Sequence, residues 1–425
     1  MKIIMSLLSL GILTTLTIQS SFANQLSNFN EPNTEKLKSA MQNHKLQVIQ
    51  FGDSHTAADV FTGSLRTQLQ NSLGDGGMGW GMPMYFTGHR LSLYGYDNSG
   101  WQPISSRTQQ NENYSLGGLI AIPKFSGATL TIKAKQAEQP QSIIVSIRQG
   151  ASDGAFSGQD ASGRTFSLEA PVKNNTWQTA KFNATLPFTI TANNASQSAI
   201  AGWWAQNQNG GGAVVSALGI NGAELSNWNR WNSGWQTELN TLSPNLVILA
   251  YGTNEAYNNA DVDQARDNLV DKIQKIRRAS PNTAIMIISA PESLKGTSGE
   301  CGTRPSKLSS FQSMQYQVAQ SQQTLYWDWQ KAMGGECSMK RWMNQGLALK
   351  DGVHFSPAGY EKLGQFLAND LLNLSGVPIS QSSSRHTTST NSNQSVSYNK
   401  KSNYEALGFA QICLEDSNEC KSIGK

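Results

Sequence analysis

Apolar residues gather along this chain in short runs of strand length, at 46–51, 245–251, 284–290 and 324–329, and each run passes into a polar or glycine-containing turn. Between and after these runs the apolar spacing lengthens to that of a helix. Residues 263–279 place Leu269, Ile273 and Ile276 on one stripe with charges opposite. Residues 357–374 open with a proline suited to a first helical turn and carry Leu363, Phe366, Leu367 and Leu371. Strands alternating with helices of this length predict an α/β domain whose parallel sheet is covered on both faces. Such sheets bind ligands beyond the carboxyl ends of their strands. Ser54 follows the first predicted strand, and Gly252, Thr253 and Asn254 follow a later one, so both groups are expected to face one crevice.

From 91 to 212 the alternation stops. Short β runs at 128–134, 142–148, 165–169 and 181–192, separated by Gly, Asn, Ser and Pro, predict a β-sandwich or jelly roll inserted in the α/β domain. The expected organisation is a discontinuous α/β domain of residues 24–90 and 213–374 around an insertion of residues 91–212. The insertion holds Tyr94, Tyr96, Trp101, Trp177, Trp203 and Trp204, which either pack in its core or present planes on which sugar rings stack, and exposure separates the two readings. Residues 375–400 are rich in Ser, Thr, Asn and Gln and read as a flexible linker, in which His386 is an incidental polar residue. A terminal segment follows, 401–425, with room for a short helix.

At the other end, Lys2 precedes an apolar and hydroxylic stretch, and Ser21-Phe22-Ala23 puts small residues where a signal peptidase requires them. Residues 1–23 are therefore expected to be removed on export to the periplasm. The stretch is too short and too rich in Thr and Ser to serve as a comfortable membrane anchor. The four cysteines, Cys301, Cys337, Cys413 and Cys420, are even in number and suit an oxidising compartment. Three pairings are open to them, and proximity favours Cys301 with Cys337 and Cys413 with Cys420. None has the short paired spacing of a zinc site, and no metal or organic cofactor is expected. The formal charge of +4, which falls by one with the loss of Lys2, comes without a basic stripe or nucleic-acid motif, so DNA and RNA are not expected partners.

The chemistry lies in two short runs. Gly52-Asp53-Ser54-His55 follows the first apolar strand, and Asp351-Gly352-Val353-His354 lies near the end of the α/β pattern. A serine hydroxyl becomes a useful nucleophile when a neutral imidazole removes its proton, and the imidazole needs a carboxylate to fix its tautomer. Asp351 and His354 are candidates for that pair. His55 adjoins the serine, but neighbours in a tight turn point apart, so it is expected to pack locally or line the cleft; Asp53 is expected to stabilise the turn. Asn254 is either a turn former or an amide donor to an oxyanion. Gly222 is either a positive-φ turn residue or the source of a backbone N–H. Trp228, Trp231 and Trp235 share one helical face and read as core or cleft wall. His44 and His89 have no evident partner. The glycines from Gly74 to Gly81 lack the lysine and hydroxyl of a phosphate loop and read as an irregular loop near the cleft.

Taken in order, FGDSHTAAD, GINGAEL, YGTNEA and DGVHFSPAGY resemble the four blocks of the SGNH (GDSL-type) hydrolase superfamily, and more closely the peptidoglycan O-acetylesterases of Gram-negative bacteria. The resemblance runs from about Lys45 to Leu374 and includes the position of the β insertion. It implies an SGNH-type α/β fold with Ser54 as nucleophile, His354 as general acid and base, and Asp351 as the residue orienting it. It also implies an oxyanion hole formed by the N–H groups of Ser54 and Gly222 and the amide of Asn254. The implied substrate is O-acetylated peptidoglycan, with acetyl removed from the C6 hydroxyl of N-acetylmuramic acid, and the insertion is similar to a carbohydrate-binding module. Glu255 stands where many superfamily members have Asp after the asparagine, which leaves the donor intact. Three alternatives remain: transfer of the same acetyl group to a sugar, action on another acetylated polysaccharide such as xylan, and a catalytically silent glycan-binding protein. Oligomeric state is not legible.

Overall fold

The computed structural model describes residues 24–232 and 234–380. The expected signal peptide, most of the linker, the terminal segment, His386 and the Cys413–Cys420 pairing lie outside the described residues. Six strands form the central sheet: β1 (Leu26–Asn28), β2 (Lys45–Gly52), β3 (Gly212–Gly219), β4 (Leu246–Ala250), β5 (Ala284–Ile288) and β6 (Leu325–Trp327), in the order β1-β6-β5-β4-β2-β3. Strands β2 to β6 are mutually parallel, and β1 closes one edge antiparallel to β6. β4 and β5 read LVILA and AIMII and are buried at every position, as strands covered on both faces must be. Strand order reverses at β2, which pairs with β3 on one side and β4 on the other. The crevice of such a sheet opens at that reversal, beyond the carboxyl ends.

Two helices recognisable from their spacing flank the sheet. In Val262–Ala279 the side chains of Leu269, Ile273 and Ile276 are buried, and the Asp261 carboxylate caps the start by accepting the Gln264 N–H at 2.8 Å. Pro357–Ser375 is capped by the Ser356 hydroxyl. It packs Leu363, Leu367 and Leu371 with Leu65, Leu69, Val48 and Ile248 on one face of the sheet. On the other face, Ile49, Phe51, Val247 and Leu249 belong to a core that runs without a break into the insertion, through Trp80, Leu130, Ile143 and Trp203.

The insertion is a sandwich of two antiparallel sheets. One has the order Thr165–Leu168, Phe156–Asp160, Phe188–Thr191, Thr129–Ala134, Tyr94–Ser99, and the other Trp177–Ala184, Gln141–Arg148, Ala199–Asn207, Leu119–Pro123, Trp101–Ser105. The second sheet also takes in Gly79–Gly81, which pairs antiparallel with Ala199–Asn207. This strand precedes residue 91, where the insertion is expected to start, and three residues with two glycines show no alternation in the sequence. Tyr94, Trp101, Trp177, Trp203 and Trp204 are buried and Tyr96 is half-buried, so these rings pack the sandwich and offer no exposed platform. Trp228, Trp231 and Trp235 pack likewise, with Trp228 stacked on Trp231 at 4.4 Å and edge-on to Phe51 at 4.6 Å.

The glycine-rich loop needs correction too. Gly74 and Gly76 lie against Ala213 at the amino end of β3, opposite the expected crevice. The helix Phe61–Leu73 leaves the carboxyl end of β2 and runs back along the sheet, as a parallel crossover requires, so the segment after it starts at the far end. A disulfide joins Cys301 to Cys337.

Candidate active site

β2 ends in a turn with no room for a side chain, since a Cβ on Gly52 would stand 2.7 Å from the Ala250 carbonyl oxygen at the end of β4. The chain then enters the short helix Ser54–Ala57, and Asp53 Oδ1 accepts the His55 N–H at 3.0 Å to close the turn. Ser54 takes the first helical position, where a backbone N–H has no intrahelical acceptor. Its Oγ lies 2.9 Å from Nε2 of His354.

His354 arrives on the loop ahead of the helix Pro357–Ser375. Its Nδ1 is 2.8 Å from Asp351 Oδ2, while Asp351 Oδ1 accepts the Val353 and His354 N–H groups at 2.8 and 3.0 Å. With the Nδ1 proton held by the carboxylate, Nε2 is left as the acceptor facing the serine. Burial pushes the Asp351 carboxyl up, but the hydrogen bond and charge of His354 and the two backbone N–H groups outweigh it, and the carboxyl is held below its ordinary range.

His55 turns the opposite way, into the core. Its Nδ1 meets the Tyr360 hydroxyl at 2.8 Å, and its ring packs beside Trp329, Phe355 and His354, 5.4 Å between centroids for the last. Burial, and then the charge of His354, hold its pKa well below the usual imidazole value, and its ring packs behind that of His354. Asp53 is buried as well, and burial pushes its carboxyl up to about 6 against the lowering effects of the His55 N–H, the His354 charge and the Thr253 hydroxyl.

On the other side of the crevice, Gly222 follows β3 with φ +69°, and a Cβ there would lie 2.7 Å from Arg107 Nε. Asn254 lies in the first turn of the short helix Thr253–Tyr257 after β4, and its Nδ2 donates to the Ala223 carbonyl at 2.9 Å, which pins the amide beside the Gly222 turn and leaves a second N–H on that nitrogen for another acceptor. Glu255 joins the same two segments more firmly. Its Oε1 accepts the Leu225 N–H and its Oε2 the Gly252 N–H, each at 2.9 Å, and burial pushes this carboxyl up to about 8.

Ser54, His354 and Asp351 thus form one hydrogen-bonded line, and Gly222 and Asn254 are tied together through Ala223. Residues not assigned a contact from the sequence complete the surroundings. Tyr360 partners His55, Glu255 bridges the turns after β3 and β4, and His89 Nε2 faces the Asn221 N–H at 3.4 Å. Tyr360 lies inside the DGVHFSPAGY run, but nothing there points to His55. His44 sits apart from the site, with Nδ1 3.0 Å from the Leu73 carbonyl.

A serine just past the end of the first parallel strand, hydrogen-bonded to a histidine that is paired with an aspartate three residues away in a late loop, on a doubly wound sheet, fits a GDSL-type serine esterase. In agreement, residues 179–362 match the GDSL-like lipase/acylhydrolase family, and residues 76–189 match the N-terminal domain of peptidoglycan O-acetylesterase. The solved structure "Peptidoglycan O-acetylesterase in action, 5 min" is 39% identical over 83% of this chain and 99% of its own, with a TM-score of 0.76. The chain belongs to the peptidoglycan O-acetylesterase family. Fainter likenesses, too low to support an argument, reach an acetyl xylan esterase (16% identity, 38% of this chain and 80% of that one, TM-score 0.30) and a family two carbohydrate esterase from Cellvibrio japonicus (10% identity, 67% and 98%, TM-score 0.29). No curated protein matches the chain.

Proposed function

We propose that the protein removes O-acetyl groups from the C6 hydroxyl of N-acetylmuramic acid in peptidoglycan, in the periplasm, after export directed by residues 1–23. The observation that carries the chemistry is the line from Ser54 Oγ to His354 Nε2 at 2.9 Å and from His354 Nδ1 to Asp351 Oδ2 at 2.8 Å. Ser54 Oγ attacks the acetyl carbonyl carbon as its proton passes to Nε2. The carbonyl oxygen becomes an oxyanion, held by the N–H groups of Ser54 and Gly222 and by Nδ2 of Asn254. As the tetrahedral intermediate collapses, the C–O bond to the sugar breaks and the alcohol leaves with the proton from His354. Water, deprotonated by the same Nε2, then attacks the acetyl-serine; the bond to Oγ breaks as Oγ takes the proton back from His354, and acetic acid leaves and ionises to acetate. Asp351 keeps its negative charge throughout and stabilises the imidazolium that forms twice.

The choice of polymer is supported by the family and by the match of residues 76–189, which include most of the insertion, to the N-terminal domain of peptidoglycan O-acetylesterase. It is tested by measuring acetate release from O-acetylated peptidoglycan beside acetylated xylan, with Ser54→Ala as control. Faster release from peptidoglycan, abolished in the variant, is the expected result. Equal or faster release from xylan would overturn the substrate assignment, and release by the variant would overturn the mechanism.

A further inference from the structure

An exposed aromatic side chain is ordinary on a protein surface, and its position decides whether it carries meaning. Among the described residues, Tyr85, Phe125, Val172, Tyr316 and Ile379 are the large hydrophobic side chains left exposed. Tyr316 is engaged edge-on with Phe29 and Tyr326, at 5.3 and 5.4 Å. Phe125 and Val172 belong to turns of the insertion, and Ile379 follows the last helix. Tyr85 is different because of where its backbone is held.

The segment 82–90 connects the insertion to both sides of the crevice. At one end the Trp203 indole N–H donates to the Pro83 carbonyl at 3.1 Å, and Met82, Met84 and Phe86 are buried. At the other end the Arg90 N–H donates to the carbonyl of Ala57, the last residue of the Ser54 helix, at 3.0 Å. The Asn221 amide donates to the Gly88 carbonyl at 2.8 Å, one residue before Gly222. Met84 and Phe86 turn inward on either side, and the Tyr85 ring is directed out, 52% exposed, with no ring contact or hydrogen bond among the described residues. A backbone anchored at both ends keeps that ring presented, so little further ordering is needed for a ligand to meet it.

We infer that Tyr85 is a substrate-binding residue that stacks on the C–H face of a pyranose ring of the glycan strand, beside the sugar whose acetyl group reaches Ser54. The flat apolar face suits the ring of a sugar, and the phenol oxygen at its edge stays in water. The inference rests on the peptidoglycan reading and adds to it a contact that recognises the polymer and ignores the ester itself.

The test uses residues 24–425 as wild type, Tyr85→Ala and Tyr85→Phe, with soluble O-acetylated glycan strands and with p-nitrophenyl acetate. Tyr85→Ala is expected to raise KM for the glycan about three- to tenfold and to leave kcat unchanged, the range expected for one aromatic contact. Both parameters on the small ester should stay at the wild-type value, and Tyr85→Phe should behave as wild type on both substrates. An unchanged glycan KM in Tyr85→Ala overturns the inference, as does an equal loss on the small ester, which would mean that the loop had deformed. A loss in Tyr85→Phe matching that of Tyr85→Ala assigns the effect to the hydroxyl and overturns stacking. Wild-type protein that cleaves the small ester but releases no acetate from the glycan removes the substrate reading, and this inference falls with it.

Discussion

Two aspartate–histidine pairs stand beside Ser54, and they are hydrogen-bonded in different ways. Asp53 and His55 flank the serine in sequence, but the Asp53 carboxyl accepts the backbone N–H of His55 and leaves its ring to Tyr360. Asp351 and His354 come from the far end of the chain, and there the carboxylate takes the ring nitrogen itself. The consequence is visible in the acids. Burial outweighs the His55 N–H and the more distant His354 charge at Asp53 and pushes it up to about 6, whereas a direct hydrogen bond to the His354 ring, its charge and two backbone N–H groups bring Asp351 below its ordinary range despite burial. Nearness in sequence therefore says little about which histidine ring meets the serine hydroxyl. What counts is which ring nitrogen is oriented by a carboxylate and which faces the hydroxyl.

The sharpest way to break this comparison is to remove each pair separately. His354→Ala is expected to lower kcat by on the order of 10⁴–10⁶, and Asp351→Asn by about 10⁴, because the imidazole then loses its tautomer control. His55→Phe keeps an aromatic ring against Trp329 and leaves the Tyr360 hydroxyl without its partner. It should cost about 1–3 kcal/mol in stability and change kcat by less than about tenfold. Steady-state kinetics on a small ester together with urea unfolding decide the matter. A His55→Phe protein of normal stability but with turnover as low as that of His354→Ala would reverse the two roles.

A smaller effect is expected across the crevice. Asn254 holds the Gly222 turn through Ala223 and is assigned a second donor to the oxyanion, so Asn254→Ala should lower kcat by about 10²–10³, with KM little changed. Unchanged turnover would take Asn254 out of the mechanism. Much of this arrangement is legible in the sequence, for a physical reason. β4 and β5 are unbroken apolar runs and β2 is interrupted only by Gln47 and Gln50 between Leu46 and Phe51, and Ser54 and Asn254 come within four residues of the ends of β2 and β4, so strand and site residue announce each other. β3 reads GAVVSALG, with small and polar residues that mask a fully covered strand, and Gly79–Gly81 carries no alternation at all. Glu255 bridging Leu225 and Gly252 is a contact across 30 residues that leaves no periodic trace. The exposure that separates Tyr85 from the buried tryptophans likewise depends on packing between distant elements.

The finest test concerns the charge on the two acids, because their displaced pKa values predict opposite effects on stability. For Asp53 the folded value is raised from 3.8 to about 6. Its contribution is fully present below pH 3.8 and declines as pH rises to about 6, since the unfolded chain gives up the proton first. Asparagine cannot ionise and still offers an oxygen to the His55 N–H. Asp53→Asn should therefore match the wild type near pH 4 and exceed it at pH 8, by on the order of 1–3 kcal/mol. For Asp351 the folded value is lowered, so its contribution is present above 3.8 and is lost as pH falls through the folded value. Asp351→Asn should accordingly be less stable than wild type at pH 8, with the gap closing in acid. Urea unfolding midpoints at pH 4, 5, 6 and 8 give both curves. Two curves of the same sign at pH 8 would mean that the carboxyls of the two pairs are alike, and the contrast between the structural pair and the working pair would then rest on geometry alone.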